Sequence, residues 1–117
     1  MKAAATQIFK ALGDQNRLRI MKMLEQRELC VCEIRTVLKL SNSTVSEHLA
    51  VLRDVGLIRD TKSGKWVNYR LNKCTSNQLI QNTLHFLKQS LASDGLLKSD
   101  ITKVKKVDRT KICCNTN

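Results

Sequence analysis

The stretch Ser43-Thr-Val-Ser-Glu-His-Leu-Ala-Val-Leu-Arg-Asp-Val-Gly-Leu57 decides how this chain folds. Val45, Leu49 and Leu52 recur at i, i+4 and i+7, the spacing of a helix that buries one stripe and leaves its other faces to solvent. Ser43 or Ser41 can cap its start, and Gly56 supplies the stop. Upstream lies a polar turn, Lys39-Leu-Ser-Asn-Ser43, and before that a short helix from about Cys30 to Leu38. Downstream the period changes from 3.6 to 2. Leu57-Ile-Arg-Asp-Thr61 and Trp66-Val-Asn-Tyr-Arg-Leu71 alternate as strands around a turn placed at Ser63-Gly64. Helix, short turn, helix and basic hairpin make a winged helix-turn-helix, mainly α with a small β-hairpin.

Working outward, Ala5, Ile8, Phe9 and Leu12 predict a first helix stopped by Gly13, and Asp14 can cap a second. In that second helix Leu18, Met21 and Leu24 form the inner stripe, with Arg17, Arg19 and Lys22 on other faces. Ser76 to Leu91 reads as a longer helix with Ile80, Leu84, Leu87 and Leu91 on one stripe and Leu79 and Phe86 widening it. That width suits two partners, its own domain and a second subunit. Beyond Ser93 the chain turns polar and basic. Residues 1–92 therefore read as a DNA-binding and dimerisation domain, and residues 93–117 as a basic, flexible tail in which Ile101, Val104 and Val107 could support only a marginal helix.

The 117 residues carry a formal net charge of +11 and a pI near 9.8, the electrostatic footprint of a phosphate-backbone binder. No apolar run reaches the ~18 residues of a membrane span, and Lys10 and Asp14 interrupt any leader-like start. Five cysteines, an odd number in no disulfide-like framework, fit a reducing cytoplasm. Paired catalytic carboxylates, a phosphate-cradling glycine loop and a nucleophile-base spacing are all missing from the sequence, so an enzyme is the weakest class. The expected partners are double-stranded operator DNA and a second copy of the chain, with no membrane.

Two soft ligands stand one residue apart in Glu28-Leu-Cys-Val-Cys-Glu-Ile34, immediately before the reading unit. Cys30 and Cys32 thus suggest a thiophilic ion sensor wired to a DNA switch. Cys113 and Cys114 are vicinal thiols near the C-terminus, with Lys111 beside them to lower their pKa. Cys74, at a helix entrance with no local partner, is expected to be a small buried hydrophobe. In a major groove, the N-terminal and outward side chains of the reading helix meet base edges, which nominates Asn42, Ser43, Thr44, Ser46 and Glu47. Arg53, Lys62, Lys65 and Arg70 are placed to neutralise phosphates, while His48 is expected to be packed or near phosphate.

Over roughly residues 5 to 91 the sequence resembles the ArsR/SmtB family of bacterial metalloregulatory repressors. The resemblance rests on five ordered blocks: Leu12 to Ile20, Glu28 to Ile34, Ser43 to Leu49, Leu52 to Leu57 and Gly64 to Leu71. It implies a homodimer built from the first and last helices, operator binding without metal, and release when a toxic metal or metalloid binds. The thiol motif of the arsenite-responsive branch carries onto Cys30 and Cys32, but its third cysteine position here is Arg35. Trivalent arsenic favours three thiolates, and on a regular helix residues i and i+2 point about 200° apart, so Cys30 and Cys32 could share an ion only from a distorted helix start. Cys113 and Cys114 are the candidates for the missing sulfur, for an independent site, or for a two-sulfur methylated arsenical. The family's zinc site on the last helix would find only His85 here and no carboxylate. The resulting expectation is a repressor with no permanent cofactor, released by As(III), with Sb(III) or a methylated trivalent arsenical as further inducers. Alternatives are a cadmium- or lead-responsive repressor and a thiol-based metal-sequestering resistance protein.

Overall fold

The computed structural model describes residues 5–91, 94–108 and 112. The chain runs α1 (Ala5–Leu12), α2 (Gln15–Leu24), β1 (Leu29–Cys30), α3 (Val31–Leu38), α4 (Asn42–Asp54), β2 (Ile58–Ser63), β3 (Trp66–Leu71), α5 (Gln78–Ser90) and α6 (Gly95–Lys106). The caps follow local chemistry. The Asp14 carboxylate accepts the backbone N–H groups of Asn16 and Arg17 at 2.8 and 3.1 Å, and Ser41, rather than Ser43, caps α4 by accepting from the Thr44 N–H.

Helix α4 ends as its sequence demands. The Gly56 N–H donates to Arg53 and the Leu57 N–H to Leu52, a Schellman pair that needs the left-handed backbone Gly56 adopts at φ +89°. The hairpin pairs Ser63 with Trp66, so its turn is Gly64-Lys65, one residue later than the sequence placed it. Gly64 has φ +59° and occupies the first of the two central positions, where a II′ hairpin turn needs glycine.

Two elements differ from expectation. Strand β1 is only Leu29 and Cys30, yet it pairs with Tyr69 and Asn68 and gives the sheet the order β1-β3-β2. Two residues carry no period, so no strand could be read from them. Residues expected to begin a flexible tail after residue 92 instead form α6, which packs on α2 and α3. Its inner stripe is Leu97, Asp100 and Val104, and the carboxylate in the middle of that stripe hides the amphipathic pattern. Asp100 is 0% exposed because Arg19 of α2 grips both its oxygens, Nε to Oδ2 at 2.8 Å and Nη2 to Oδ1 at 3.0 Å. That contact raises the Arg19 pKa, through its hydrogen bonds to Asp100 first, against the opposing cost of burial.

The core joins α1 to α6 and the sheet around Ile20, Met23, Ile34, Leu49, Leu52 and Leu57. Along α2 the three cations expected on outer faces all make internal contacts. Arg17 donates to the Ala11 and Lys10 carbonyls. Arg19 takes Asp100, and buried Lys22 donates to the Leu87 carbonyl of α5 at 3.1 Å while pairing with Glu25 at 2.7 Å.

Candidate DNA interface and thiol site

Helix α4 separates its two faces cleanly. Val45, Leu49 and Leu52 are buried, while Asn42 with Ser46 and Ser43 with Glu47 form two i, i+4 pairs on the exposed side. These four present amide, hydroxyl and carboxylate groups from the first two turns, where a groove-reading helix needs them. Thr44 differs: it is half-buried and its hydroxyl accepts from Ser41 at 2.9 Å, so its polar group serves the helix cap.

The four cations nominated for phosphate also divide. Lys62 and Lys65 are exposed at the end of the wing, with the Lys65 ammonium 5.0 Å from the Trp66 ring centre. Arg53 instead pairs with Asp60 of β2 at 3.1 Å, fastening the end of α4 to the hairpin. Arg70 donates across the hairpin to the Thr61 hydroxyl. His48 is half-buried, with Nδ1 3.3 Å from Arg17 Nη1, and this contact connects the second helix to the reading helix.

The thiols occupy the boundary between strand and helix. Cys30 is the N-cap of α3 with extended backbone, φ −94° and ψ 171°, and Cys32 is the second helical residue. The two are therefore not i and i+2 of one regular helix, the arrangement expected from their spacing. Only Cys32 is helical; Cys30 is extended and ends β1. Cys30 is 2% exposed and Cys32 half-buried; Cys74, expected inside, is exposed. Cys113 and Cys114 lie outside the described residues. Among the described residues, no three His, Cys, Asp or Glu side chains gather as a metal cluster.

Beside Cys30 stands a group the sequence reading passed over. Glu33, 2% exposed, closes a capping box with sulfur in place of the usual hydroxyl. Its Oε1 accepts the Cys30 N–H at 2.9 Å and its Oε2 accepts from Arg27 Nη1 at 2.9 Å. Arg27 Nη2 donates in turn to the Val104 and Val107 carbonyls at 3.2 and 3.0 Å. One guanidinium thus joins the thiol-bearing helix start to the end of α6. A glutamate three residues after a cap position was the available signal; the arginine's reach to residues 104 and 107 left none.

From this segment the chain passes through α3 into a three-residue turn. Lys39 at that turn has φ +59°, a left-handed conformation uncommon for a residue with a side chain, and α4 follows at Asn42. A sequence-family model described as bacterial regulatory protein, arsR family, matches residues 14–60, from the start of α2 into β2. A transcriptional regulator of Pseudomonas putida, named as the arsenic resistance regulator ArsR2, is 36% identical over 115 residues, covering 92% of this chain and 95% of that one. This chain belongs to the arsR family.

Other relatives of this arsR-family chain match over shorter spans. The arsenical resistance operon repressor of Escherichia coli is 52% identical over 67 residues, 56% of this chain and 57% of its own length. A CadC homolog of Staphylococcus aureus, named for cadmium resistance, is 38% identical over 90 residues, covering 75% of this chain and 73% of that one. Among solved structures, reduced HlyU from Vibrio cholerae superposes with a TM-score of 0.60 at 36% identity, covering 71% of this chain and 83% of that one. A homodimeric winged helix-turn-helix DNA-binding domain from Mycobacterium bovis gives 0.60 at 25% identity, over 71% and 73%. As an arsR-family winged helix-turn-helix protein, the chain is a DNA-binding transcriptional regulator and not an enzyme. No helix among the described residues is long and apolar enough to cross a membrane.

Proposed function

We propose that this protein is a cytoplasmic homodimeric repressor that leaves its operator when trivalent arsenic binds Cys30 and Cys32. The observation that carries the reading is positional: the two thiols flank the first residue of α3, and α3 leads through one three-residue turn into the reading helix. A bond between the two sulfurs through a common ion must turn the buried Cys30 out of its cap, which disturbs the helix that sets the angle of α4. The printed names of the arsenical resistance relatives support arsenic as the ion. Antimonite and methylated trivalent arsenicals present the same soft, thiol-seeking centre. The cadmium relatives keep a cadmium- or lead-responsive repressor as the second reading.

DNA binding falls to Asn42, Ser43, Ser46 and Glu47 for bases, and to Lys62 and Lys65 at the wing tip for phosphates; Thr44, Arg53 and Arg70 assist by fixing the cap and the hairpin. The second copy would cover the apolar groove of about 380 Å³ between α1 and α5. There Phe9 and Phe86 are 70% and 61% exposed. Exposure of this kind on one face fits an interface.

The test is fluorescence anisotropy of labelled operator DNA titrated with arsenite, antimonite, cadmium and zinc. Arsenite should release wild-type protein, and Cys30→Ser or Cys32→Ser should bind DNA normally but stay bound. Wild-type sensitivity in both variants would place sensing elsewhere. A chain that captures arsenite but never binds operator-length DNA would be a sequestering protein instead.

A further inference from the structure

Helix α4 has a flank as well as two faces, and on it stands an imidazole that neither the core nor the base-reading set accounts for. His48 precedes the buried Leu49 and follows Thr44 by one turn, and both His48 and Thr44 are half-buried. Such a position borders the buried stripe on one side and the outward face on the other. A helix lying in a major groove brings its outward face to the base edges and its flanks toward the phosphate walls.

The hydrogen bonding of the ring is decided by its neighbour. Arg17 Nη1 lies 3.3 Å from His48 Nδ1, and a guanidinium can only donate. Nδ1 is therefore the acceptor, and the neutral ring carries its proton on Nε2. Arg17 is itself held in place, because its Nε and Nη2 donate to the Ala11 and Lys10 carbonyls at 2.6 and 3.3 Å, at the end of α1. Nε2 has no hydrogen-bond partner among the described residues. It is also absent from their enclosed, unsatisfied atoms, which are Arg35 Nε and Asn72 Oδ1, so it opens to solvent.

We propose that His48 is a phosphate anchor of the DNA complex: Arg17 orients the ring, and Nε2–H donates to a phosphate oxygen of the operator. This rests on the reading of α4 as the helix that enters the groove. His48 touches the DNA, whereas Arg17 is a positioning residue that acts through it. The same guanidinium ties the end of α1, where Phe9 and Leu12 line the apolar groove, to a fixed point on the DNA backbone.

Two substitutions separate the two ring nitrogens, since an asparagine amide oxygen can stand in for Nδ1 and a glutamine amide nitrogen for Nε2. In full-length dimers, His48→Asn keeps the acceptor for Arg17 but lacks the far donor. It should bind operator about tenfold more weakly, the scale of one hydrogen bond to a charged acceptor. His48→Gln restores the donor and should bind close to wild type. Phosphate ethylation should show where the contact falls: one phosphate for each subunit should block wild-type and His48→Gln binding when ethylated, and should cease to matter for His48→Asn. Equal losses in the two variants with an unchanged ethylation pattern would make His48 a packing residue and overturn the proposal, as would wild-type affinity in His48→Asn. Nitrogen NMR of the wild-type ring needs no substitution. Above the histidine titration range the free dimer should carry the proton on Nε2, and operator DNA should shift Nε2 much more than Nδ1. A proton on Nδ1, or an Nε2 signal indifferent to DNA, would equally overturn the assignment. If Asn42→Ala and Ser46→Ala keep the full preference for operator over unrelated DNA, the reading of α4 beneath the proposal fails instead.

Discussion

The reading helix with its wing and the corner formed by β1, α3 and α6 are of similar size and share one core, yet they are held together differently. In α4 and the hairpin the polar groups point outward, and the contacts that shape the region are short in sequence: Ser41 to Thr44, Arg53 to Asp60, Arg70 to Thr61. In the thiol corner the carboxylates Glu33 and Asp100 are buried, and the contacts that fix α6 reach far along the chain: Arg19 to Asp100, Arg27 to Val104 and Val107. A surface that meets DNA must leave its donors and acceptors unspent. The thiol corner instead ties its polar groups to distant parts of the fold.

The sharpest way to break this contrast is at Asp100. Asp100→Ala strips the partner from a nearly buried guanidinium and should cost about 3 kcal/mol of unfolding free energy in urea titrations, with α6 amides exchanging early. Replacing both partners, Arg19→Met with Asp100→Leu, should recover most of that loss, because the apolar pair fills the same space without a charge to bury. A loss under 1 kcal/mol for Asp100→Ala would mean that α6 contributes little to the corner.

On the DNA side the effects should fall on binding and leave stability within about 0.5 kcal/mol of wild type. Ser46→Ala should lower operator affinity by about 1 kcal/mol and hardly change binding to unrelated sequence. Lys65→Ala should weaken both and reduce the salt slope by about one. If either variant unfolded at markedly lower urea, α4 and the wing would be as internally committed as the thiol corner.

The smallest effect belongs to Asp14, beside the Arg17–His48 contact that connects α2 to the reading helix. Burial alone would raise its pKa, but the Arg17 and Asn16 N–H groups, with the charges of His48 and Arg17, hold it below the ordinary carboxylate value. A depressed pKa contributes stability that is present above the unfolded value near 3.9 and is lost as pH falls through the folded one. Asp14→Ala should therefore cost about 1 kcal/mol at neutral pH and flatten the loss of stability on acidification below about pH 4. An unchanged acid limb would show that folding does not depress the Asp14 pKa.

What the sequence revealed follows the same division. Helix α4, its glycine stop and the alternating strands were legible because each depends on neighbours within a turn or a hairpin, and so was the exposure of Asn42, Ser43, Ser46 and Glu47. Thr44, Arg53 and Arg70 were recognisable as polar, but not as already engaged. Helix α6 was hidden by Asp100, a charge on the inner stripe whose meaning depends on an arginine 81 positions away. The pair Arg27 and Glu33 escaped for the same reason, and the two residues of β1 are too few to show a period. Cys30 and Cys32 stand out by spacing alone; that one is a strand end and the other a helix start does not.

The unequal burial of the three described cysteines has a consequence for life in an oxidising cell. Peroxide and glutathione disulfide meet thiols in order of access, and Cys74, on the surface, is the first they reach, whereas Cys30 is enclosed and spends most of its time out of their way. Mild oxidative stress would mark the protein at Cys74 before Cys30. On the proposed function, the interior placement of Cys30 would act as a filter between two kinds of chemical insult, slow to admit an oxidant and open to an ion only once the cap is turned out.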